Sequence, residues 1–398
     1  PVLQERAYQT VTIRGCPVTV MQAERQSIDR RAIPAGAVES RFALADGHEI
    51  RRIDLPAEDG GKRGSILFMP GRGDFYEKYL ETLVEWSRAG WHVTAADWRG
   101  QAGSGRLGDD AITGHVGDFS DWVDDLAFLW KTWKTETRGP HIVVGHSMGG
   151  HLVTRALVDG QIDPDAAILS APMLGMSGPP LPLGVSHFVA WFMTKIGKPT
   201  RPAWKWSEKP GEMPANRSDL LTHDAGRYAD ELWWRERRPE LVMGPGSWGW
   251  VERAYASTRQ LEKRGAMENV EVPVLIISTS ADKLVRHPSA VRAAQRFPNG
   301  ELLAFGEVPY RPRHVDAHAL LTTLQPAADA QADADVGAVG DVHGSLVACE
   351  VAENASWDPA QRINGWIIGV NTYEDPRFLG HGSNPPDHVF VVLPQLVL

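Results

Sequence analysis

The sequence predicts an α/β fold, in which a mostly parallel, doubly wound sheet carries a helical insertion. Two observations lead to this prediction. Between residues 41 and 320, short apolar runs alternate with longer segments of helical apolar spacing, as expected for strands buried between two layers of helices. The stretch 173–265 breaks this alternation, because it lacks strand signals and holds seven of the fifteen tryptophans. We interpret this stretch as a mostly helical segment inserted over the sheet.

Each predicted strand is a short apolar run that ends in glycine, proline or a polar turn residue. The runs are RGSILFMPGRG (63–73), WHVTAADWRG (91–100), HIVVG (141–145), AAILSAP (166–172), VPVLIISTSAD (272–282) and ELLAFG (301–306). Helical spacing is found in FYEKYLETLVEWSRAG (75–90), in FSDWVDDLAFLWKTWKTE (119–136) and in the segment from Ser147 to about Gly160. Strands this short, separated by helices, indicate parallel pairing with both faces of the sheet covered.

The pattern also suggests boundaries outside this domain. Residues 1–40 are a polar N-terminal extension, and 41–320 form the α/β domain. An Ala/Asp-rich stretch at 321–344 has the low complexity of a disordered linker. Residues 345–398 form a tail to which the sequence assigns no fold. The segment 321–398 holds ten acidic residues and two basic ones, so most of the net charge of −9 comes from this end.

Composition argues against several classes of function. No basic stripe is present, which disfavours a nucleic-acid partner. Cys16 and Cys349 stand alone, so the sequence predicts neither a metal site nor a disulfide framework. No run of about 18 apolar residues predicts a membrane span, and the polar start PVLQERAYQTVTIRG lacks the apolar core of a signal peptide. We expect a cytoplasmic protein; peripheral contact with the inner membrane surface and the oligomeric state stay open.

A candidate nucleophile lies where a predicted strand meets a predicted helix. Gly145-His146-Ser147-Met148-Gly149 fits the pattern G-x-S-x-G between HIVV and GGHLVTRALV. In such a turn the serine adopts strained backbone angles, and both flanking positions must be small because the chain folds back on itself. The turn lifts the hydroxyl clear of the sheet and points the helix N-terminus towards a developing oxyanion. The alternative is an ordinary glycine-rich turn.

A serine nucleophile needs a base and an acid that orients the base. In a sheet of this kind they follow the serine in the order acid, then histidine. Asp282 ends the run VLIISTS, at the carboxyl edge where open α/β sheets place their sites; the alternative for Asp282 is an Asx turn or helix cap. His314 in VPYRPRHVDAH is the first candidate base and His318 the second. Both histidines are also compatible with exposed loop positions.

An oxyanion needs two donors, and the second is expected in the loop after an earlier strand. Pro70-Gly71-Arg72-Gly73 follows SILFM. Gly71 lets the backbone turn there, so that the amide of Arg72 and the amide of Met148 can donate to one oxygen. A plain tight turn is the alternative interpretation.

Several of these motifs together resemble a known family. They are SILFMPGRGDFYEKY (65–79), AADWRGQAGSGR (95–106), VVGHSMGGH (143–151), LSAPMLGM (169–176) and SWGWVERAYAS (247–257). Over roughly residues 30–318 the chain is similar to the α/β-hydrolases of the lysophospholipase and monoacylglycerol lipase branch, especially the lysophospholipase L2-like group. The resemblance implies a serine esterase that releases a fatty acid without metal or cofactor. It implies the same roles for Ser147, Asp282 and the amides of Arg72 and Met148. The tryptophan-rich insertion fits a lid that buries the acyl chain; the alternative is that its tryptophans only pack the insertion on the sheet.

The sequence departs from that family near the expected histidine, at Ala102, and beyond residue 318, where Ala/Asp-rich sequence replaces the family's usual final helix. The family's histidine usually follows the last strand closely, in a run such as A-R-H-E. Here the region reads FGEVPYRPRHVDAHALL, with Val315 after His314. Ala102 also stands where the family usually has glycine. Three alternatives therefore stay open: a small-ester carboxylesterase, a proline-type aminopeptidase, and a non-catalytic member that has lost its base.

Overall fold

A computed structural model describes residues 8–13, 16–21, 28–177, 181–205, 224–305, 362–363 and 366–367 of the chain. These residues divide between two compact units. Residues 29–305 lie in the larger unit, which contains the sheet and the helices. The other unit holds two short antiparallel pairs, one within residues 8–21 and one within 362–367.

Twelve strands and seven α-helices lie within the described residues. The strands are β1 Tyr8–Ile13, β2 Cys16–Met21, β3 Val38–Ala43, β4 Glu49–Leu55, β5 Gly64–Met69, β6 Trp91–Ala96, β7 His141–His146, β8 Ala166–Ser170, β9 Val274–Thr279, β10 Gly300–Phe305, β11 Arg362–Ile363 and β12 Trp366–Ile367. The helices are α1 Leu80–Arg88, α2 Phe119–Glu136, α3 Met148–Val158, α4 Leu183–Lys195, α5 Ala225–Arg237, α6 Trp248–Leu261 and α7 His287–Arg296.

Strands β3 to β10 form one eight-stranded sheet in the order β10-β9-β8-β7-β5-β6-β4-β3. The six strands from β6 to β10 in that order are parallel, whereas β4 runs antiparallel to β6 and β3 antiparallel to β4. Strand β7 lies near the middle of the sheet, with Gly145 paired to Met69 of β5 and to Leu169 of β8. The turn after β7 therefore emerges at the centre of the carboxyl edge.

Both faces of this sheet are covered, as the continuous apolar runs predict. Neighbouring strand residues point to opposite faces, yet Leu67 and Phe68 of β5 are both fully buried. The Phe68 ring lies 6.1 Å from the ring of Trp86 on α1. Leu67 belongs to a core cluster that includes Trp122 of α2 and Leu152 of α3. The doubly wound α/β architecture is thus confirmed.

The predicted strands and helices from residue 63 to 305 are confirmed, and α2 spans the same residues as its sequence pattern. The two antiparallel strands β3 and β4 have no counterpart in that prediction. Their sequences, VESRFA and EIRRIDL, place charged residues among the apolar ones because β3 lies at the exposed edge of the sheet. Strand β3 begins at Val38, within the stretch that was expected to be an extension.

The insertion between β8 and β9 contributes α4, α5 and α6, and its described residues contain helices and isolated bridges but no strand. His314, His318 and the predicted linker at 321–344 lie outside the described residues, and of the tail at 345–398 only β11 and β12 are described. None of the helices in the described part of the chain is long and apolar enough to cross a membrane.

Candidate active site

Ser147 lies at the junction between β7 and α3 with an unusual backbone conformation. Its φ is 50° and its ψ is −115°. Residues other than glycine rarely adopt a positive φ, and holding one in such a region costs of order 1–3 kcal/mol of folding free energy. The surrounding structure must therefore enforce this conformation. That strain is the one expected of a serine lifted out of a sharp strand-to-helix turn.

The two glycines around Ser147 are required by close backbone contacts. A Cβ atom on Gly145 would lie 2.7 Å from the Gly150 Cα. A Cβ on Gly149 would lie 2.3 Å from the Met69 carbonyl oxygen and 2.4 Å from that of Pro70. These contacts are with backbone atoms that have little freedom to move. They give the physical reason for G-x-S-x-G in this chain.

Backbone hydrogen bonds fix the serine from three directions. The Ser147 N–H donates to the Ser170 carbonyl at the end of β8, with a distance of 2.9 Å. The Ser147 carbonyl accepts from the N–H of His151 at 3.1 Å and from the N–H of Met173 at 2.9 Å. Strand β8, the segment after it and the first turn of α3 thus hold the Ser147 backbone together.

The loop after β5 lies directly beside the serine. A Cβ atom on Gly71 would lie 3.2 Å from the Ser147 Cβ, which shows how closely the loop approaches. Two side chains from the stretch after β6 fix this loop: Trp98 Nε1 donates to the Pro70 carbonyl at 2.8 Å, and Gln101 Oε1 accepts from the Gly73 N–H at 2.6 Å. The structure therefore brings together the loop and the elbow that were predicted to supply the oxyanion donors.

Met148 is the first residue of α3. The N–H groups in the first turn of a helix have no acceptor within the helix, and they sit at its positive end. The Met148 amide is therefore available to an oxygen above Ser147. The Met148 side chain is fully buried, with its Sδ 3.9 Å from Gln101 Nε2. Gln101 thus contacts both parts of the predicted oxyanion hole.

Asp282 follows β9 at the same edge of the sheet. Its Oδ1 accepts from the N–H of Leu284 at 2.7 Å and from that of Val285 at 2.8 Å, so it closes a turn before α7. This turn is joined to the segment that follows β8. Ser177 N–H donates to the Leu284 carbonyl at 2.8 Å, and Val285 forms an antiparallel bridge with Met176. The alternative Asx-turn role is present; the role as catalytic acid stays a prediction, since His314 lies outside the described residues.

A buried polar network behind the elbow was not predicted from the sequence. His146 Nδ1 lies 2.9 Å from the Tyr79 hydroxyl and 3.3 Å from Asp74 Oδ2, and the Tyr79 hydroxyl donates to the same Asp74 oxygen at 2.8 Å. Lys78 Nζ lies 2.5 Å from Asp74 Oδ1. Burial by itself would raise the pKa of Asp74, but the Lys78 ammonium and the hydrogen bond from His146 outweigh it and hold that pKa well below its ordinary range. The i, i+4 spacing of Asp74 and Lys78 is the one signal in the sequence that points to this network.

His151, one turn into α3, is a second buried histidine. Its Nδ1 lies 2.9 Å from the Met173 carbonyl, which can only accept, so Nδ1 carries the proton. Its Nε2 then accepts from the Ser257 hydroxyl of α6 at 2.7 Å, and Arg155 Nη1 donates to the same hydroxyl oxygen at 2.7 Å. Burial, followed by the Arg155 charge, lowers the pKa of His151 to about 3. This neutral histidine links the elbow helix to the insertion.

The insertion presents an apolar surface on α4. Its large exposed side chains are Val185, Phe188, Val189, Trp191 and Phe192, and Leu181 and Ile196 are exposed just before and just after the helix. Phe188 is 61% exposed and Ile196 58%. A contiguous exposed apolar face of this kind is typical of interaction sites. Among those residues, no group of His, Cys, Asp and Glu has an arrangement that could hold a metal ion.

The chain is similar to known hydrolases in both sequence and structure. The family model described as serine aminopeptidase, S33, matches residues 60–303. Lysophospholipase L2 of Escherichia coli K12 is 28% identical over 259 residues, which are 62% of this chain and 71% of that protein. Monoacylglycerol lipase of Mycolicibacterium smegmatis is 27% identical over 190 residues, 46% of this chain and 65% of that protein.

Two solved structures support the same architecture. A soluble variant of monoglyceride lipase from Saccharomyces cerevisiae has a TM-score of 0.52 at 16% identity, covering 71% of this chain and 89% of that one. A thermostable carboxyl esterase from Bacillus coagulans has a TM-score of 0.51 at 16% identity, covering 68% and 89%. At these identities the likeness concerns the fold.

Proposed function

Because the chain belongs to the serine aminopeptidase S33 family, whose model matches more than half of it, we propose that it is a serine ester hydrolase acting on lipids. It releases a fatty acid from lysophospholipids or monoacylglycerols through an acyl-enzyme. The lysophospholipase L2 and monoacylglycerol lipase sequences support this substrate class. No metal or cofactor takes part.

The observation that carries the proposal is the conformation of Ser147. Its φ of 50° lies in a region that costs energy, and backbone contacts from β5, β8 and α3 enforce it. Backbone strain of this kind is typical of active sites, where it places a reactive side chain. Here it places the serine beside the loop of Gly71, in reach of the helix N-terminus that starts at Met148.

The proposed reaction uses the chain's own groups. Ser147 Oγ attacks the ester carbonyl carbon and gives its proton to His314, while the amides of Arg72 and Met148 stabilise the oxyanion that forms on the carbonyl oxygen. The carbon–oxygen bond to the glycerol then breaks, and His314 returns its proton to the departing alcohol. Water attacks the acyl-Ser147 ester by the same steps and releases the fatty acid. Asp282 orients His314 and stabilises its charged form.

The exposed face of α4 suggests how a lipid reaches this site. We propose that the insertion acts as a lid for the acyl chain and that the α4 face touches the membrane or micelle that contains the substrate. Lys195 and Lys198 flank the apolar residues at the end of the helix, as in peripheral helices that bind anionic lipid surfaces. Each methylene moved from water into apolar surroundings contributes about 0.8 kcal/mol.

The first test is hydrolysis of p-nitrophenyl butyrate by the full chain, with Ser147→Ala and His314→Ala as variants. We expect both variants to lose at least about 10⁴-fold in kcat, as removal of triad members does in serine hydrolases. Thermal unfolding of each variant checks that the fold is kept. Wild-type protein no faster than Ser147→Ala would favour a non-catalytic member of the family.

The second test separates lipid substrates from the alternatives. Initial rates are compared for lysophosphatidylcholine, a monoacylglycerol, p-nitrophenyl esters of four to twelve carbons, and a proline p-nitroanilide. The proposal expects kcat/KM to rise with acyl length, because longer chains bury more methylenes. A preference for the butyrate ester would indicate a small-ester carboxylesterase, and a preference for the anilide would indicate an aminopeptidase.

A further inference from the structure

The side chain of Arg72 leaves the loop beside Ser147 and enters the insertion. Its Nη2 donates to the Gly244 carbonyl at 2.8 Å. Its Cζ lies 5.0 Å from the ring centroid of Trp250 and 5.3 Å from that of Trp204. The guanidinium therefore makes cation–π contacts with two indoles and a hydrogen bond to backbone, all three on the insertion.

Two glycines make room for this arrangement. A Cβ atom on Gly114 would lie 2.9 Å from Arg72 Nη2, and one on Gly246 would lie 2.8 Å from Trp204 Cη2 and 3.0 Å from Trp250 Cε3. Gly114 and Gly246 form a parallel bridge with each other. A side chain at Gly114 would therefore meet the guanidinium, and a side chain at Gly246 would meet both indole rings.

The two tryptophans are themselves fixed within the insertion. Ala203 N–H donates to the Gly246 carbonyl at 2.8 Å, which ties the segment of Trp204 to the segment before α6. The Ser247 hydroxyl accepts from the Trp250 N–H at 3.0 Å and lies 2.7 Å from His115 Nδ1. Arg72 therefore contacts a part of the insertion that is held together by hydrogen bonds. We call Arg72, Trp204 and Trp250, with the Gly244 carbonyl, the Arg72 clamp.

We infer that the Arg72 side chain is a positioning residue for the oxyanion hole. The inference rests on the proposed function, in which the Arg72 amide is an oxyanion donor. The loop is already fixed on both sides of this residue, at Pro70 by Trp98 and at Gly73 by Gln101. The peptide between Gly71 and Arg72 lies between these two anchors. The clamp provides the third anchor and couples the donor amide to the insertion.

Arginine suits this position for physical reasons that lysine does not share. Its guanidinium is planar and weakly hydrated, so it stacks on aromatic faces while its N–H groups bond to backbone in the same plane. A lysine ammonium is compact and strongly hydrated, and it would satisfy either a ring or the carbonyl. Lysine should therefore restore only part of the function that Arg72 provides.

The chain offers a matched control in Arg106. Its Nη2 donates to the carbonyls of Glu240 and Val242 at 2.7 and 2.6 Å, so it also ties the insertion to the sheet domain. Its remaining bonds are to the carbonyls of Ala102, Gly105 and Ala111, away from residues 70–73. Arg106→Met removes two bonds to the insertion, and none of the bonds that it removes is to residues 70–73.

The experiment measures kcat and KM for p-nitrophenyl butyrate with Arg72→Met, Arg72→Lys and Arg106→Met, together with their melting temperatures. We expect Arg72→Met to lower kcat about tenfold with KM within about twofold, a part of the 10²–10³ that follows loss of a whole oxyanion donor. Arg72→Lys should fall between Arg72→Met and wild type. Arg106→Met should keep kcat within about twofold of wild type, even if its melting temperature falls as much as that of Arg72→Met.

Trp204→Leu supplies a second variant, because Trp204 is 45% exposed and its loss threatens the fold less. We expect it to lower kcat in the same direction as Arg72→Met, and a trifluoromethyl ketone that binds as an oxyanion should lose affinity in proportion. If the wild-type protein is active and both Arg72→Met and Trp204→Leu have the same kcat as wild type, the inference is overturned and the proposed function stands. A wild-type protein without esterase activity would overturn both.

Discussion

The nucleophile side and the acid side of the candidate site are built in different ways. Ser147 is held by contacts between backbone atoms, which exclude any side chain at Gly145 and Gly149. Asp282 is held by its own carboxylate, which closes the turn before α7. A residue under the first kind of constraint can be identified from its neighbours in the sequence. A residue under the second kind is compatible with many polar turns, so its place in the chain order is the main guide.

The largest effect should come from neutralising the acid without breaking its turn. Asp282→Asn keeps an oxygen that can accept from the N–H groups of Leu284 and Val285, but it removes the charge that stabilises a protonated histidine. We expect kcat for p-nitrophenyl butyrate to fall by about 10⁴, as for an aspartate-to-asparagine change in a known triad. The melting temperature should change little.

Asp282→Ala provides the comparison, because it removes both the charge and the turn. It should match Asp282→Asn in kcat and unfold at a lower temperature. Retained activity in Asp282→Asn would show that the turn, and not the carboxylate charge, is what the site requires.

A smaller effect in free energy should follow from a methyl group at Gly149. The new Cβ of Gly149→Ala would meet two carbonyl oxygens of the neighbouring strand and loop, and overpacking against parts that cannot move costs about 3 kcal/mol. Urea denaturation measures this loss. Gly184→Ala on α4 is the control, because a Cβ there meets nothing within 4 Å; equal stability of the two variants would contradict the steric account of the elbow.

His151 should make stability depend on pH. Its pKa of about 3 in the folded protein lies below the ordinary value of 6.5, so the unfolded chain binds a proton first as the pH falls. Stability is therefore unaffected by this group above pH 6.5 and declines between pH 6.5 and 3, by about 2 kcal/mol at pH 5. His151→Gln should show a correspondingly shallower decline in urea denaturation from pH 8 to 5, with pH 8 as the reference. A decline as steep as that of wild type would show that other groups cause it.

The smallest effect concerns strain next to the nucleophile side. Ala102 follows Gln101, which bonds to Gly73 in the loop after β5, and has a φ of 45°. Placing an alanine in the left-handed region costs about 1–2 kcal/mol of folding free energy. Glycine removes this strain, but its greater conformational entropy in the unfolded chain offsets part of the gain. Ala102→Gly should therefore stabilise the protein by about 0.5–1 kcal/mol in the same assay. Ala127→Gly in the middle of α2 should destabilise it by about as much, and stabilisation by both would contradict the argument.

The sequence was most informative where backbone geometry restricts the choice of residue. The elbow around Ser147 and the strands from β5 to β10 were predicted because parallel strands under two helical layers need unbroken apolar runs. Strands β3 and β4 were missed, since a half-exposed antiparallel edge tolerates charges such as Arg41 and Glu49.

Side-chain partners that meet across long stretches of chain were equally beyond prediction. His146 and Asp74 lie 72 residues apart, and the partners of Arg72 come from a region without a repeating pattern. Asp282 was found at the expected edge of the sheet, and its catalytic role and that of His314 stay predictions. No local signal separates a catalytic polar residue on a loop from an ordinary one.

The bonds that converge on the Ser147 backbone also bear on how long the protein stays active. The end of β8, the segment after it and the first turn of α3 bond to this backbone, and the loop after β5 packs against it. We therefore expect the strained conformation of Ser147 to be lost only when these elements separate. Its lifetime on heating is set by the unfolding rate of the whole domain, which rises steeply with temperature. We expect the loss of activity and the loss of the fold to follow the same rate on heating.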